Sequence, residues 1–290
     1  MSRLREWLSK GLLITDGAWG TELQARGLAL GSTPDTWNLT HPDQVEAVAR
    51  AYAEAGSQVI LTNTFRANSI AMHACASAEL DAINRAGVAL SKRAAGQRAL
   101  VFASIGPTGK LLVSGELDPE DVSAAFTAQA ASLAAAGADA LLIETMSEID
   151  EARLAVVAAK LTGLPVLVSF AFDSGKNKDR TMMGATPEAI ATAMVDAGAD
   201  AIGANCGVGV ELAIPICARL HAACDLPVWI KPNAGLPAIG KDGKTTFPMG
   251  PRDFAAFAPR LVEAGANFIG GCCGTTPAHI EALRKTVDQI

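Results

Sequence analysis

The chain has 290 residues, half of them apolar and 19% charged, with a net charge of −6. That suits one large soluble domain whose core needs no disulfide staples. The negative balance and the single tyrosine argue against a nucleic acid or an anionic membrane surface as partner. No apolar run is long enough to span a bilayer and the N-terminus has no apolar signal core, so a cytoplasmic location is expected.

In chain order, residues 1–10 read as a short amphipathic helical extension. A repeat follows. Glu54-Ala-Gly56, Ala136-Gly137, Asp196-Ala-Gly198 and Glu263-Ala-Gly265 each end an Ala-rich helix at a glycine and lead into an apolar strand. The copies lie roughly 60 to 80 residues apart, the span of two βα units. Filling in the intervening units predicts eight strands, at Leu12–Asp16, Gln58–Thr64, Ala99–Ile105, Asp139–Glu144, Pro165–Phe172, Asp200–Cys206, Pro227–Asn233 and Asn267–Cys272. The predicted helices are Pro42–Ala55, Ser77–Ala95, Pro119–Ala136, Ser147–Leu161, Pro187–Ala197, Val210–Ala223, Pro251–Ala264 and Pro277–Gln289. Five of them start at a proline, where the missing N–H costs nothing. Strict alternation implies a parallel sheet, and eight units imply closure into a single-domain (β/α)8 TIM barrel over 1–290. An open doubly wound sheet would have fewer units and a glycine-rich first turn. The longest irregular stretches, 234–250 and 173–186, follow strands seven and five, so both face the catalytic end of such a barrel.

Polar residues recur at the predicted strand ends: Asp16, Asn63, Glu144, Asn205-Cys206, Asn233 and Cys272-Cys273. Cys206, Cys272 and Cys273 are the informative ones. Three soft thiolates with an open fourth position are the pattern of a catalytic zinc site. Zinc with three thiolates carries about −1 charge, a poor setting for activating water. It suits binding a fourth thiol, removing its proton and keeping the sulfur nucleophilic. Two other readings of the vicinal pair are a disulfide and a redox sensor. Cys75, Cys217 and Cys224 fall in or beside helices and read as small hydrophobes. Asp16 and Glu144, at a barrel mouth, can hold the ammonium of an amino-acid substrate, and Gly17-Ala18 can offer backbone N–H groups to its carboxylate. The four histidines have no metal-ligand spacing. Lys231 leaves a Schiff-base lyase open as a second class, and a non-catalytic zinc or thiol sensor built on the cysteines is a third.

The motifs Asp16-Gly-Ala-Trp-Gly-Thr21, Thr62-Asn-Thr-Phe65, Gly106-Pro-Thr-Gly109, Asn205-Cys-Gly207, Lys231-Pro-Asn-Ala-Gly235 and Gly270-Gly-Cys-Cys-Gly274 together resemble the homocysteine S-methyltransferase family. That family includes the homocysteine-binding barrel of cobalamin-dependent methionine synthase, betaine–homocysteine methyltransferase and S-methylmethionine–homocysteine methyltransferase. The resemblance implies zinc on Cys206, Cys272 and Cys273, homocysteine as the thiol and methionine as product. It implies Asp16 and Glu144 on the substrate's amino group, Gly17 and Ala18 near its carboxylate, and Asn233 close to the metal. Asn63 joins them as a substrate-binding residue. Asn63-Thr-Phe65 and Asn233-Ala-Gly235 look most like the methionine-synthase branch, whose donor is methylcobalamin carried on a corrinoid module. The donors this resemblance allows are methylcobalamin on a corrinoid partner, betaine or a sulfonium.

Overall fold

The computed structural model describes residues 3–239 and 245–290. These residues hold eight parallel strands in one sheet: β1 (Leu13–Ile14), β2 (Val59–Leu61), β3 (Leu100–Ile105), β4 (Ala140–Met146), β5 (Val166–Phe170), β6 (Ala201–Gly209), β7 (Val228–Asn233) and β8 (Ala266–Ile269). From β2 to β8 each strand pairs with the next in sequence, and β1 pairs with β8. Across the remaining seam Thr15 bridges Val59 in parallel, and the Gln58 N–H donates to the Ile14 carbonyl at 2.7 Å. The sheet is thereby rolled into the expected (β/α)8 barrel.

Side chains alternate across each strand. One parity gives Leu13, Val59, Phe102, Leu142, Leu167, Trp229 and Phe268, which pack on one another inside the barrel. The other parity, including Ile14, Ile60, Val101, Leu141, Val168, Ile202 and Ile230, packs against the helices in the larger core. The N-terminal helix Arg3–Leu8 belongs to the inner cluster: Leu4 is buried in it and the Trp7 ring lies 5.5 Å from that of Phe102. One step toward the strand C-termini the inward parity turns polar: Asn63, Ser104, Glu144, Ser169, Asn205 and Lys231, all buried. The apolar floor excludes water from beneath, and the polar layer faces the loops.

The predicted helices hold with small shifts at their ends, as Pro42–Glu54, Ser77–Ala95, Pro119–Ala135, Ile149–Lys160, Pro187–Asp196, Val210–Ala223 and Pro277–Val287. The seventh divides into Pro251–Ala255 and Ala258–Glu263. Pro259 has no N–H for the ladder there. The loop after β1 carries three short helical pieces not expected from sequence, Gly20–Ala25, Pro34–Thr36 and Trp37–Thr40. In the loop after β7, Ala238–Ile239 pairs antiparallel with Thr245–Thr246. Residues 240–244 of the predicted 234–250 loop, like residues 1–2, lie outside the described residues.

β1 and β2 are shorter than predicted because side chains take over from backbone. An Asp16 carboxylate oxygen accepts the Leu61 N–H at 2.7 Å. The Thr62 hydroxyl accepts the Ser104 N–H at 3.0 Å, and the Thr64 hydroxyl donates to the Ser104 carbonyl at 2.7 Å. All three replacements occur at the strand ends that open into the polar layer.

Candidate metal and thiol site

Cys206 lies in β6 at φ 57°, followed by Gly207 at φ 67°. The pairing of β6 with β7 is interrupted there, between Asn205 and Gly209. A non-glycine residue held in the left-handed region costs on the order of 1–3 kcal/mol, and such residues concentrate at functional sites. Gly207 is required on two counts: its φ is positive, and a Cβ would stand 2.3 Å from the Phe172 carbonyl oxygen.

Cys272 and Cys273 follow β8. The Gly270 N–H donates to the Ile230 carbonyl at 3.1 Å, Gly271 to that of Asp16 at 3.0 Å and Cys272 to that of Pro232 at 2.8 Å. The run is thus stitched to β7 on one side and to the end of β1 on the other. Gly270 admits this approach, since a Cβ would sit 1.9 Å from the Thr15 hydroxyl. The Thr275 hydroxyl donates to the Cys272 carbonyl at 2.7 Å, fixing the turn that presents both sulfurs.

The three sulfurs converge within 4.8 Å of one another, with Cys206 Sγ 3.8 Å from Cys273 Sγ. Two sulfurs each about 2.3 Å from one tetrahedral ion stand about 3.8 Å apart, so the Cys206–Cys273 separation is that of two ligands on one metal. The cysteines are free and half-buried. Hydrogen bonds from the Cys272 and Cys273 thiols hold Cys206 far below the usual thiol range, and the Asn233 side chain adds to this. The same bonds to Cys206 push Cys272 well up, and Cys273 is pushed up to about 12. One thiolate with two thiols leaning on it is a set that would become three ligand thiolates if a cation replaced the protons. Asn233 is 4% exposed, and its Oδ1 has no hydrogen-bond partner among the described residues. A buried orphan acceptor beside three sulfurs is a second feature that suits a cation.

Glu144 stands in the same cavity, on β4. Burial raises its pKa, opposed chiefly by the nearby Lys231 charge and by the hydrogen bond from the Ser104 hydroxyl. β4 bulges beyond Glu144, where Thr145 is at φ 62°. Asn205 holds that bulge: its Oδ1 accepts the Thr145 N–H at 2.8 Å, and its Nδ2 donates to the Thr145 hydroxyl at 2.7 Å. Asn205 therefore orients Glu144 from the position next to Cys206.

Asp16 is expected to contact a substrate ammonium. The structure engages both of its oxygens within the protein. Oδ2 accepts from Trp19 Nε1 and from the Leu61 N–H, each at 2.7 Å, while Oδ1 pairs with Lys231 Nζ. Asp16 is fully buried, and Lys231 rather than Asp16 lines the cavity. Gly17 and Ala18 do line it, and the Ala18 N–H donates to the Thr275 hydroxyl at 3.1 Å. Asn63 lines it too, with its Nδ2 donating to the Pro34 carbonyl at 2.8 Å and to Asn38 Oδ1 at 3.0 Å. The cavity measures about 420 Å³ and contains the three cysteines, Glu144 and Lys231, with Trp19 and Phe65 on its wall. Sequence reasoning passed over Ser104, Tyr52 and Thr275 and did not assign Asn205 a role. Ser104 carries a usable signal, since it shares its inward parity with Glu144 on the neighbouring strand. Tyr52, whose hydroxyl donates to the Ala18 carbonyl at 2.7 Å, carries none.

A barrel with three convergent cysteines and a buried carboxylate at the C-terminal end of its strands has the donor set of a soft-metal or thiol site. Residues 13–287 match the homocysteine S-methyltransferase family profile, and the chain belongs to that family. It is 32% identical over 308 aligned positions to methionine synthase of Mycobacterium tuberculosis and 31% over 305 to that of Mycobacterium leprae. These alignments cover 99% and 98% of this chain but 25% of each relative, so the chain spans about a quarter of their length. Among solved structures it resembles the homocysteine methyltransferase MmuM from Escherichia coli in its metallated form. There the TM-score is 0.80 at 27% identity, covering 97% of this chain and 99% of that one. The oxidized form of MmuM gives a TM-score of 0.81 at the same identity, covering 97% and 98%.

Proposed function

We propose that this chain is a zinc-dependent enzyme that transfers a methyl group to the thiolate of homocysteine, releasing methionine. The observation that carries the reading is the convergence of Cys206, Cys272 and Cys273 within 4.8 Å, in one cavity with the buried Glu144. Zinc held by these three thiolates would strip the proton from a fourth thiol and keep its sulfur nucleophilic. Three soft ligands disfavour magnesium or calcium at this place.

The protein's part is placement. Glu144, fixed by Ser104 and Asn205, takes the substrate's ammonium; Gly17 and Ala18 lie against its carboxylate. Asn63 ties the loop after β1 to the wall, and Asn233 stands at the sulfur cluster. Asp16 acts from behind Lys231. The thiolate is thus held in line for attack on a methyl carbon, and fixing both reactants supplies much of the rate enhancement.

The methyl donor is proposed to be methylcobalamin on a corrinoid protein. Leu30, Val113, Met182 and Leu236 are exposed large apolar side chains in the loops after β1, β3, β5 and β7, respectively. All four loops lie at the end of the barrel that opens onto the cysteines. A macromolecule docking at this end would meet these side chains. The curated relatives, about four times as long, carry further segments of their own.

The test is methionine formation from homocysteine by zinc-loaded protein offered methylcobalamin, glycine betaine, S-methylmethionine and S-adenosylmethionine in turn. Turnover with methylcobalamin is expected. Turnover with betaine or a sulfonium alone would keep the thiol chemistry and overturn the donor; no methionine with any donor, and no homocysteine binding, would overturn the reading.

A further inference from the structure

A lysine inside a barrel is costly unless something pairs with it. Lys231 is 2% exposed, on the inward face of β7, directly opposite Asn205 in the register of β6 and β7. Its Nζ pairs with Asp16, lies 5.8 Å from the centre of the Trp229 ring, and forms part of the same cavity wall as Glu144 and the cysteines. Asp16 is buried behind it, off that wall. The cavity floor therefore presents one ammonium between two carboxylates, of which only Glu144 faces the ligand.

We propose that Lys231 is a specificity-determining residue: its charge makes the cavity select thiols bearing both an α-ammonium and an α-carboxylate over aminothiols bearing the ammonium alone. The proposal rests on the homocysteine reading above. Two buried carboxylates without Lys231 would welcome any small cation and repel a carboxylate. With Lys231 in place Asp16 is neutralised, Glu144 remains for one ammonium, and the two N–H groups of Nζ beyond the one used on Asp16 can serve a ligand carboxylate. The floor then complements a zwitterion.

Calorimetry on the zinc-loaded protein needs no methyl donor and separates the two ideas. The probes are homocysteine and 3-aminopropane-1-thiol, which is homocysteine without its carboxylate. Unaltered protein is expected to bind homocysteine at least about tenfold more tightly. Lys231→Met should remove most of that preference by weakening homocysteine while leaving the aminothiol bound as before or more tightly, with zinc content unchanged. Because Lys231→Met strands the Asp16 carboxylate, the pair Asp16→Asn/Lys231→Met is measured beside it, and the same loss of preference is expected. A preference that survives in the double variant overturns the proposal, as does an equal loss of both ligands in both variants, which would assign Lys231 a purely structural part. Failure of the unaltered protein to bind homocysteine at all would instead count against the function reading.

Discussion

Two residues in left-handed backbone, Cys206 on β6 and Thr145 on β4, line one cavity, and the Asn205 side chain bridges to Thr145. Cys206 owes its position to Gly207, and Glu144 owes its aim to the Asn205 clamp on Thr145. At this scale the sequence was legible where chemistry is written in residue type: soft sulfurs next to glycines, and a carboxylate ending an apolar strand. It was illegible where a partner lies far along the chain. Asp16 and Lys231 are 215 residues apart, and nothing short of barrel closure brings them together. Glu144→Gln keeps the hydrogen-bonding shape and removes the charge. Losing a charge-assisted bond of about 1.5–3 kcal/mol should raise the KM for homocysteine roughly 10- to 100-fold. Zinc content should stay unchanged, as measured by steady-state kinetics beside metal analysis. An unchanged KM would remove Glu144 from the ammonium.

The elements that hold the mouth are short, and buried carboxylates fasten them. Asp35, in the turn Pro34–Thr36, is 1% exposed and accepts the Arg66 N–H at 2.8 Å, tying the loop after β1 to the loop after β2. Burial raises its pKa from 3.8 to about 6, against the backbone N–H of Arg66, which favours the anion. A carboxyl whose folded pKa is raised binds its proton more tightly when folded. Its contribution is therefore fully present below about pH 3.8 and is lost as pH rises through about 6. The difference amounts to about 3 kcal/mol over that window. Asp35→Asn retains an acceptor for Arg66. Denaturant unfolding between pH 4 and 7 should show the variant gaining stability relative to the unaltered protein as pH rises; parallel pH profiles would contradict this. Sequence reading found the long helices through their prolines and apolar spacing. It overextended β1 and β2, because Asp16, Thr62 and Thr64 replace ladder groups with side chains, a substitution invisible to hydrophobic pattern. It missed the turn containing Asp35 because that piece is held by tertiary bonds, not by periodicity.

For the whole molecule, repeat spacing and strand–helix alternation made the barrel readable, since eight such units have few ways to close. The N-terminal extension was expected, but its use as packing for the inner barrel cluster through Leu4 and Trp7 was not. No helix among the described residues is long and apolar enough to cross a membrane. The apolar inner cluster and the helix-facing core are built without the cysteines of the site. Stripping metal with a chelator should therefore leave circular dichroism intact and lower Tm by roughly 5–15 °C, the size expected of losing a tightly bound ligand. Wholesale unfolding on chelation would show that the site is structural. The central claim is that three protein thiolates leave one place on zinc for a substrate thiol. The most direct measurement is X-ray absorption at the zinc edge, counting sulfur neighbours with and without homocysteine. The account predicts three sulfurs and one lighter atom in the protein alone and four sulfurs once homocysteine binds; a sulfur count that homocysteine leaves unchanged would contradict it.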